Sequence, residues 1–129
     1  MTDTTTTTRV TSVRTVGVPV RDQDRALAFY TGVLGLRLTM NADMGGGRRW
    51  IEVAPAVGGT TIALVNASPS VPAPVETGIR LCTPDVDALH AHLLDHGTST
   101  DAVLRWPGVP PMFAFRDQDG NGLEIVAES

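Results

Sequence analysis

Apolar residues along the chain fall into short runs whose period switches between two and nearly four. "VGVPV" at 16–20 reads as a strand, and Pro19, which has no N–H to donate, places it at an edge or a strand end. "RALAFYTGVL" follows, with Ala26, Phe29, Tyr30 and Val33 at helical spacing. Asp22 or Asp24 would cap this helix and Gly35 would stop it. Strands are predicted at 36–40, 50–53 and 60–65, with a loose loop at 41–49 and "APAVGG" between the last two. Three prolines in "NASPSVPAPVE" mark the one clear seam. Beyond it the order restarts: a strand at 78–82, Asp85 as N-cap, and the helix "VDALHAHLLDH" with Val86, Leu89 and Leu93 on one face. Gly97 ends that helix, and strands are predicted at 103–106, 112–115 and 123–126.

Each half therefore reads strand, helix, three strands, a duplication with a period of about 60 residues. The fold expected is α+β, built from two tandem βαβββ modules. A flexible tail at 1–12 precedes one domain at 13–129, with module one at 13–66, a linker at 67–76 and module two at 77–128. A net charge of −4, with ten basic residues that form no run, argues against nucleic acid as a partner. The single cysteine, Cys82, excludes an internal disulfide and fits a reducing compartment. "MTDTTTTTRV" has no apolar core, so it is neither a signal peptide nor an anchor, and no segment approaches the roughly 20 apolar residues of a membrane span. A soluble cytoplasmic protein with no membrane partner is expected.

Several motifs carry candidate chemistry. From Asp117 the chain spells a calcium loop, with Asp119, Asn121, Gly122 and Glu128 at the specified positions. The flanking "FAF" and "LEIV" alternate like strands, however, so "DQDGNG" reads as a hairpin turn. His90, His92 and His96 lie on the polar side of the second helix. His92 and His96 have i, i+4 spacing, but a pair without a third ligand is a weak metal site. Cys82 has no histidine beside it to make it a nucleophile. "MGGGRR" lacks the phosphate-loop pattern and reads as a mobile flap, whose Arg48 and Arg49 could steer an anion.

"VRDQDRALAFYTGVLGLRL" in the first half and "FRDQDGNGLEIV" closing the second resemble the vicinal oxygen chelate superfamily, the glyoxalase/bleomycin-resistance/extradiol-dioxygenase group. The resemblance runs from about Val13 to Glu128. It implies that the modules curl into an incomplete barrel with the helices outside and a concave sheet facing a ligand. It also implies a homodimer whose sites lie between modules. The superfamily's metal enzymes present four ligands, one from the first and one from the last strand of each half. Alignment puts Thr15, Ala63 and Gly78 at three of these positions, and only the fourth, Glu124, keeps its type. A shift of one residue brings Arg14, Val16, Ile62, Leu64, Thr77 or Ile79, and no strong ligand.

The resemblance therefore points to the metal-free branch, with no cofactor. The expected function is sequestration of a hydrophobic, planar, antibiotic-like small molecule. Two alternatives stand beside it: a metal-dependent lyase, isomerase or dioxygenase whose ligands align elsewhere, and a metal-free enzyme using Glu124 as acid or base, its pKa raised by burial. If the four aligned positions face inward, strand alternation adds Gly17, Thr61, Val65, Arg80, Cys82, Gly122 and Val126 to the same face. Phe115, Leu123 and Ile125 then face the helices. Trp50 and Trp106 each open a strand beside a glycine- or proline-rich loop, where they would stack on a planar ligand, or else cap the core edge or a dimer seam. Met40, Met44 and Met112 could add an adaptable lining. Arg80 and Glu124 would pair, or each would bond a polar group of the ligand, unless Arg80 points outward.

Overall fold

The computed structural model describes residues 8–128. Residues 1–7 of the expected tail lie outside the described residues, and 8–12 are exposed and in neither helix nor strand. Module one contains β1 (Thr15–Val20), α1 (Gln23–Leu27, continuing as a π-helical turn at Ala28–Val33), β2 (Arg37–Gly45), β3 (Arg48–Ala54) and β4 (Thr61–Asn66). Module two contains β5 (Glu76–Thr83), α2 (Val86–Asp95), β6 (Met112–Arg116) and β7 (Gly122–Ala127). The strands form two open sheets, ordered β1-β4-β3-β2 and β5-β7-β6, and neither closes into a barrel. In each sheet the first strand runs parallel to the last and the remaining pairs are antiparallel. The repeated strand order in the sequence is thus a repeated topology.

Local chemistry accounts for the elements. In β1, Val18, Pro19 and Val20 are all buried, the two valines joining the hydrophobic core, and Gly17 is exposed. Pro19 is tolerated because β1 is an edge strand, paired with β4 alone. Asp22, not Asp24, caps α1 by accepting the Arg25 N–H at 3.1 Å. Asp85 does the same for α2 through the Ala88 N–H at 3.0 Å. In the π-turn the Leu34 N–H reaches back to the Phe29 carbonyl at 3.1 Å. Phe29 there packs edge-on to Tyr30, at a ring separation of 5.4 Å.

One core serves both modules. Tyr30, Ile51 and Leu64 of the first belong to the same buried cluster as Leu93, Phe113 and Ile125 of the second. Each such side chain contributes about 2 kcal/mol by leaving water. The helix-side faces of the two sheets are therefore joined, and their other faces are left open.

The hairpin turn between β6 and β7 is tied to module one. Asn121, fully buried, donates to the Pro19 carbonyl at 2.8 Å and accepts the Val75 N–H at 2.9 Å. Asp117 accepts the Tyr30 hydroxyl at 2.7 Å and the N–H groups of Asp119 and Asn121. Arg21 donates its backbone N–H and its guanidinium to Asp119. The two "RDQD" stretches thus meet in space, Arg21 of one against Asp119 of the other.

Two expected elements differ. The loop predicted at 41–49 is mostly strand: β2 runs to Gly45, β3 starts at Arg48, and only Gly46 and Gly47 turn between them. Gly45, Gly46 and Gly47 all have positive φ, so the glycines make a tight reversal and not a loose flap. The strand predicted at 103–106 shrinks to a single bridge between Leu104 and Met112. Pro107, Pro110 and Pro111 follow it, and their missing N–H groups and fixed φ prevent a longer ladder.

Candidate functional site

On the open face of the first sheet, β1 contributes Thr15, β3 contributes Trp50 and Glu52, and β4 contributes Thr61 and Ala63. The register sets Thr15 beside Thr61 and Glu52 beside Ala63. Glu52 is the centre of this group. Its Oε2 accepts the Trp50 indole N–H at 2.6 Å and its Oε1 accepts the Thr61 hydroxyl at 2.8 Å. Thr15 lies 2.7 Å from Thr61 and 3.5 Å from the same carboxylate. The indole N–H, then the Thr61 hydroxyl, hold the Glu52 carboxyl below its ordinary range. Burial opposes them, and the charge of Arg14 adds to the lowering. Glu52 is 5% exposed, covered by its immediate neighbours and not by depth in the protein.

Two cavities flank this group. One of about 620 Å3 is lined by Glu52, Thr61, Thr39, Met40 and Arg14 among others. A smaller one of about 260 Å3 is lined by Trp50, Met44, Arg48, Arg49, Val65 and Asn66, at the hairpin end of β2 and β3.

The open face of the second sheet carries charges. Arg80 and Glu124 sit opposite each other in the β5–β7 ladder, with Arg80 Nε 3.8 Å from Glu124 Oε1. Arg80 also reaches the Met112 sulfur at 3.6 Å. The expected pairing of Arg80 with Glu124 is present, and Arg80 shares the face of Glu124. The Glu124 side chain is 44% exposed, however, so the burial that an acid–base role would use is missing. The pair, half in water, adds less than about 1 kcal/mol to stability. Beside it Glu76 and Arg116 pair across Gly122, where a Cβ would overlap the Glu76 carboxylate. Phe115, Leu123 and Ile125 are buried toward the helices, as alternation predicts. Gly78 lies where the β5 register is interrupted, with φ of 74°. Trp106 is 67% exposed in the proline-rich segment before β6.

Within one chain the candidate residues thus form two groups. Thr15, Thr61, Ala63, Trp50 and Met44 belong to the first sheet. Arg80, Glu124, Met112, Gly78 and Trp106 belong to the second module. Between the free edges of β1 and β5 runs a third cavity of about 590 Å3, lined by Val16, Leu36, Ile62, Ile79 and Leu81, with Arg80 and Cys82.

The metal readings meet specific obstacles. The Asp117, Asp119 and Asn121 oxygens are engaged by N–H groups, Tyr30 and Arg21, in a turn between two strands. His90 bonds the Asp101 carbonyl at 2.9 Å and stands edge-on to Phe113. His92 and His96 have ring centres 4.3 Å apart, but each ring bonds a backbone carbonyl. Thr15, Ala63 and Gly78 bring one hydroxyl and no imidazole or carboxylate, so this donor set does not fit a catalytic zinc or iron. Among the described residues, no three His, Cys, Asp or Glu side chains come together to hold a metal ion. No helix among them is long and apolar enough to cross a membrane.

A family model described as Glyoxalase/Bleomycin resistance protein/Dioxygenase superfamily matches residues 12–125. Among solved structures, the antibiotic binding protein TnmS3 from Streptomyces sp. CB03234 is 33% identical, with a TM-score of 0.81, over 93% of this chain and 98% of that one. A member of the same superfamily from Sphaerobacter thermophilus DSM 20745 is 28% identical, with a TM-score of 0.81, over 92% and 98%. A glyoxalase/bleomycin resistance protein from Streptomyces sp. CB03234 is 33% identical, with a TM-score of 0.75, over 89% and 99%. No match was found among curated proteins.

Proposed function

Since the chain belongs to the glyoxalase/bleomycin resistance protein/dioxygenase superfamily, we propose that it is a metal-free binding protein that sequesters a hydrophobic, planar, antibiotic-like molecule in a cleft of a homodimer. The observation that carries this reading is the open face of module one. It offers an indole held by Glu52 that lines a cavity of about 260 Å3, a second cavity of about 620 Å3 lined by Glu52 itself, and, among the described residues, no donor set for a catalytic metal. The likeness to TnmS3, an antibiotic binding protein, supports the same reading.

Magnitudes explain why two modules are needed. A micromolar dissociation constant corresponds to about −8 kcal/mol. One stacked ring supplies about 1 kcal/mol beyond its buried area, so the ligand must be enclosed on both sides. In this reading Trp50, Met44, Thr15, Thr61 and Ala63 form one wall. Arg80, Glu124, Met112, Gly78 and Trp106 of the other protomer form the second. Nothing in such a site requires a reaction, and the ligand leaves unchanged.

Two measurements test this. Titration with polycyclic natural products should quench tryptophan emission saturably, the ligand should be recovered intact, and Trp50→Phe and Trp106→Phe should each remove part of the quenching. Metal analysis of protein purified without chelator should find less than about one-tenth of an equivalent, since a resident metal needs about three protein ligands. Stoichiometric zinc, iron, nickel or manganese, or chemical conversion of the ligand, would overturn the proposal.

A further inference from the structure

Glu52 is a carboxylate at the centre of a face otherwise suited to an apolar ligand, and enclosure alone gives it no task. Both of its oxygens are engaged, but only by neutral donors: the Trp50 indole and the Thr61 hydroxyl at short range, and the Thr15 hydroxyl at 3.5 Å. Among the described residues no arginine or histidine lies within ion-pair distance of it. An ionised carboxylate offers about four acceptor sites, so two short bonds leave capacity for a further donor. The same bonds that hold Trp50 in place also hold Glu52 ionised. Glu52 contributes to the wall of the cavity of about 620 Å3, so a ligand seated there closes off the remaining solvent from a carboxylate that is already 5% exposed and has no cation in contact. Removing water from an unpaired charge is costly, and a ligand that brings its own cation offsets that cost.

Arg14 lines the same cavity and would favour the opposite choice. It precedes β1 and is exposed, so water and salt screen its charge, whereas Glu52 is covered. The carboxylate therefore decides the preference. We infer that Glu52 is the specificity-determining residue of this face and selects planar ligands bearing a protonated amine over neutral or acidic analogues. The inference rests on the binding function proposed above and adds the ligand's chemical class to it.

Three probes on one scaffold test it: 9-(aminomethyl)anthracene, 9-methylanthracene and 9-anthracenecarboxylate, titrated by calorimetry at pH 7. The wild-type protein should bind the amine at least tenfold more tightly than the methyl compound, and the carboxylate most weakly. In Glu52→Gln the amine-to-methyl ratio should fall below threefold. A wild-type ratio under tenfold overturns the inference, as does a ratio that survives in Glu52→Gln. If that variant does not fold, the wild-type order of amine, methyl and carboxylate decides. Equal binding of all three removes the amine preference and leaves the binding function standing. Saturable binding by none of them removes both.

Discussion

Tyr30 shows how one side chain reports on the whole fold. It is the chain's only tyrosine, it is fully buried, and its hydroxyl donates to Asp117. Burial, then the Asp117 charge, push its pKa well above the ordinary value of 10.0. The folded protein therefore keeps a proton that the unfolded chain releases above about pH 10. The stability linked to this proton is fully present below that pH and is lost as pH rises further. The chain has no lysine to confuse the alkaline limb. At pH 11 the native protein should show no tyrosinate absorbance near 295 nm, a wavelength set by the phenolate, and the signal should appear only on unfolding. Tyr30→Phe should cost about 1–2 kcal/mol at pH 7 and flatten the loss of stability above pH 10. A tyrosinate signal without unfolding would place Tyr30 in water. At this scale the sequence was partly legible. "WIEVA" alternates, so Trp50 and Glu52 share a face opposite Ile51 and Val53. The signal for Glu52 was present in that alternation, but the resemblance drew attention to other strand positions.

At the scale of elements, the turn at 117–121 was legible and its partners were not. Asp, Asn and Gly announced a reversal between strands. Nothing local announces a bond from Asn121 to Pro19, which lies 102 residues away. The loop expected at 41–49 failed for a related reason: three glycines signal a turn, but the strand pairing on either side decides how short it is. The turn's bonds differ in worth. Asn121 is fully buried and engages Pro19, Val75 and Asp117. Its loss leaves buried backbone groups unpaired, at about 1–3 kcal/mol. Arg21, by contrast, is 54% exposed where it meets Asp119. Losing that ion pair should cost less than about 1 kcal/mol. Chemical denaturation should therefore show Asn121→Ala destabilised by about 3 kcal/mol and Arg21→Ala by under 1 kcal/mol. Equal costs would mean that the turn is held by its charges and not by its buried amide.

For the whole molecule, the duplication was readable because each module repeats its caps and alternation. What alternation could not reveal is that the two modules share one core, and that Trp50 and Arg80 line separate cavities. On the proposed reading each chain supplies two half-walls, and a second copy would bring unlike half-walls together. A stable interface of this kind covers about 800 Å2 on each partner. If ligand is held between copies, binding and association are linked, and each must strengthen the other by the same factor. Light scattering should give a mass twice the 13.6 kDa of one chain at micromolar concentration. On dilution, a saturating polycyclic ligand should move the dissociation midpoint to at least tenfold lower protein concentration, because each tenfold in affinity is about 1.4 kcal/mol of coupling. A chain that stays monomeric throughout, or a midpoint that ligand does not move, would place the ligand on a single protomer. The walls would then lie in the groove between β1 and β5, a largely apolar cavity of about 590 Å3 that one chain builds from both modules.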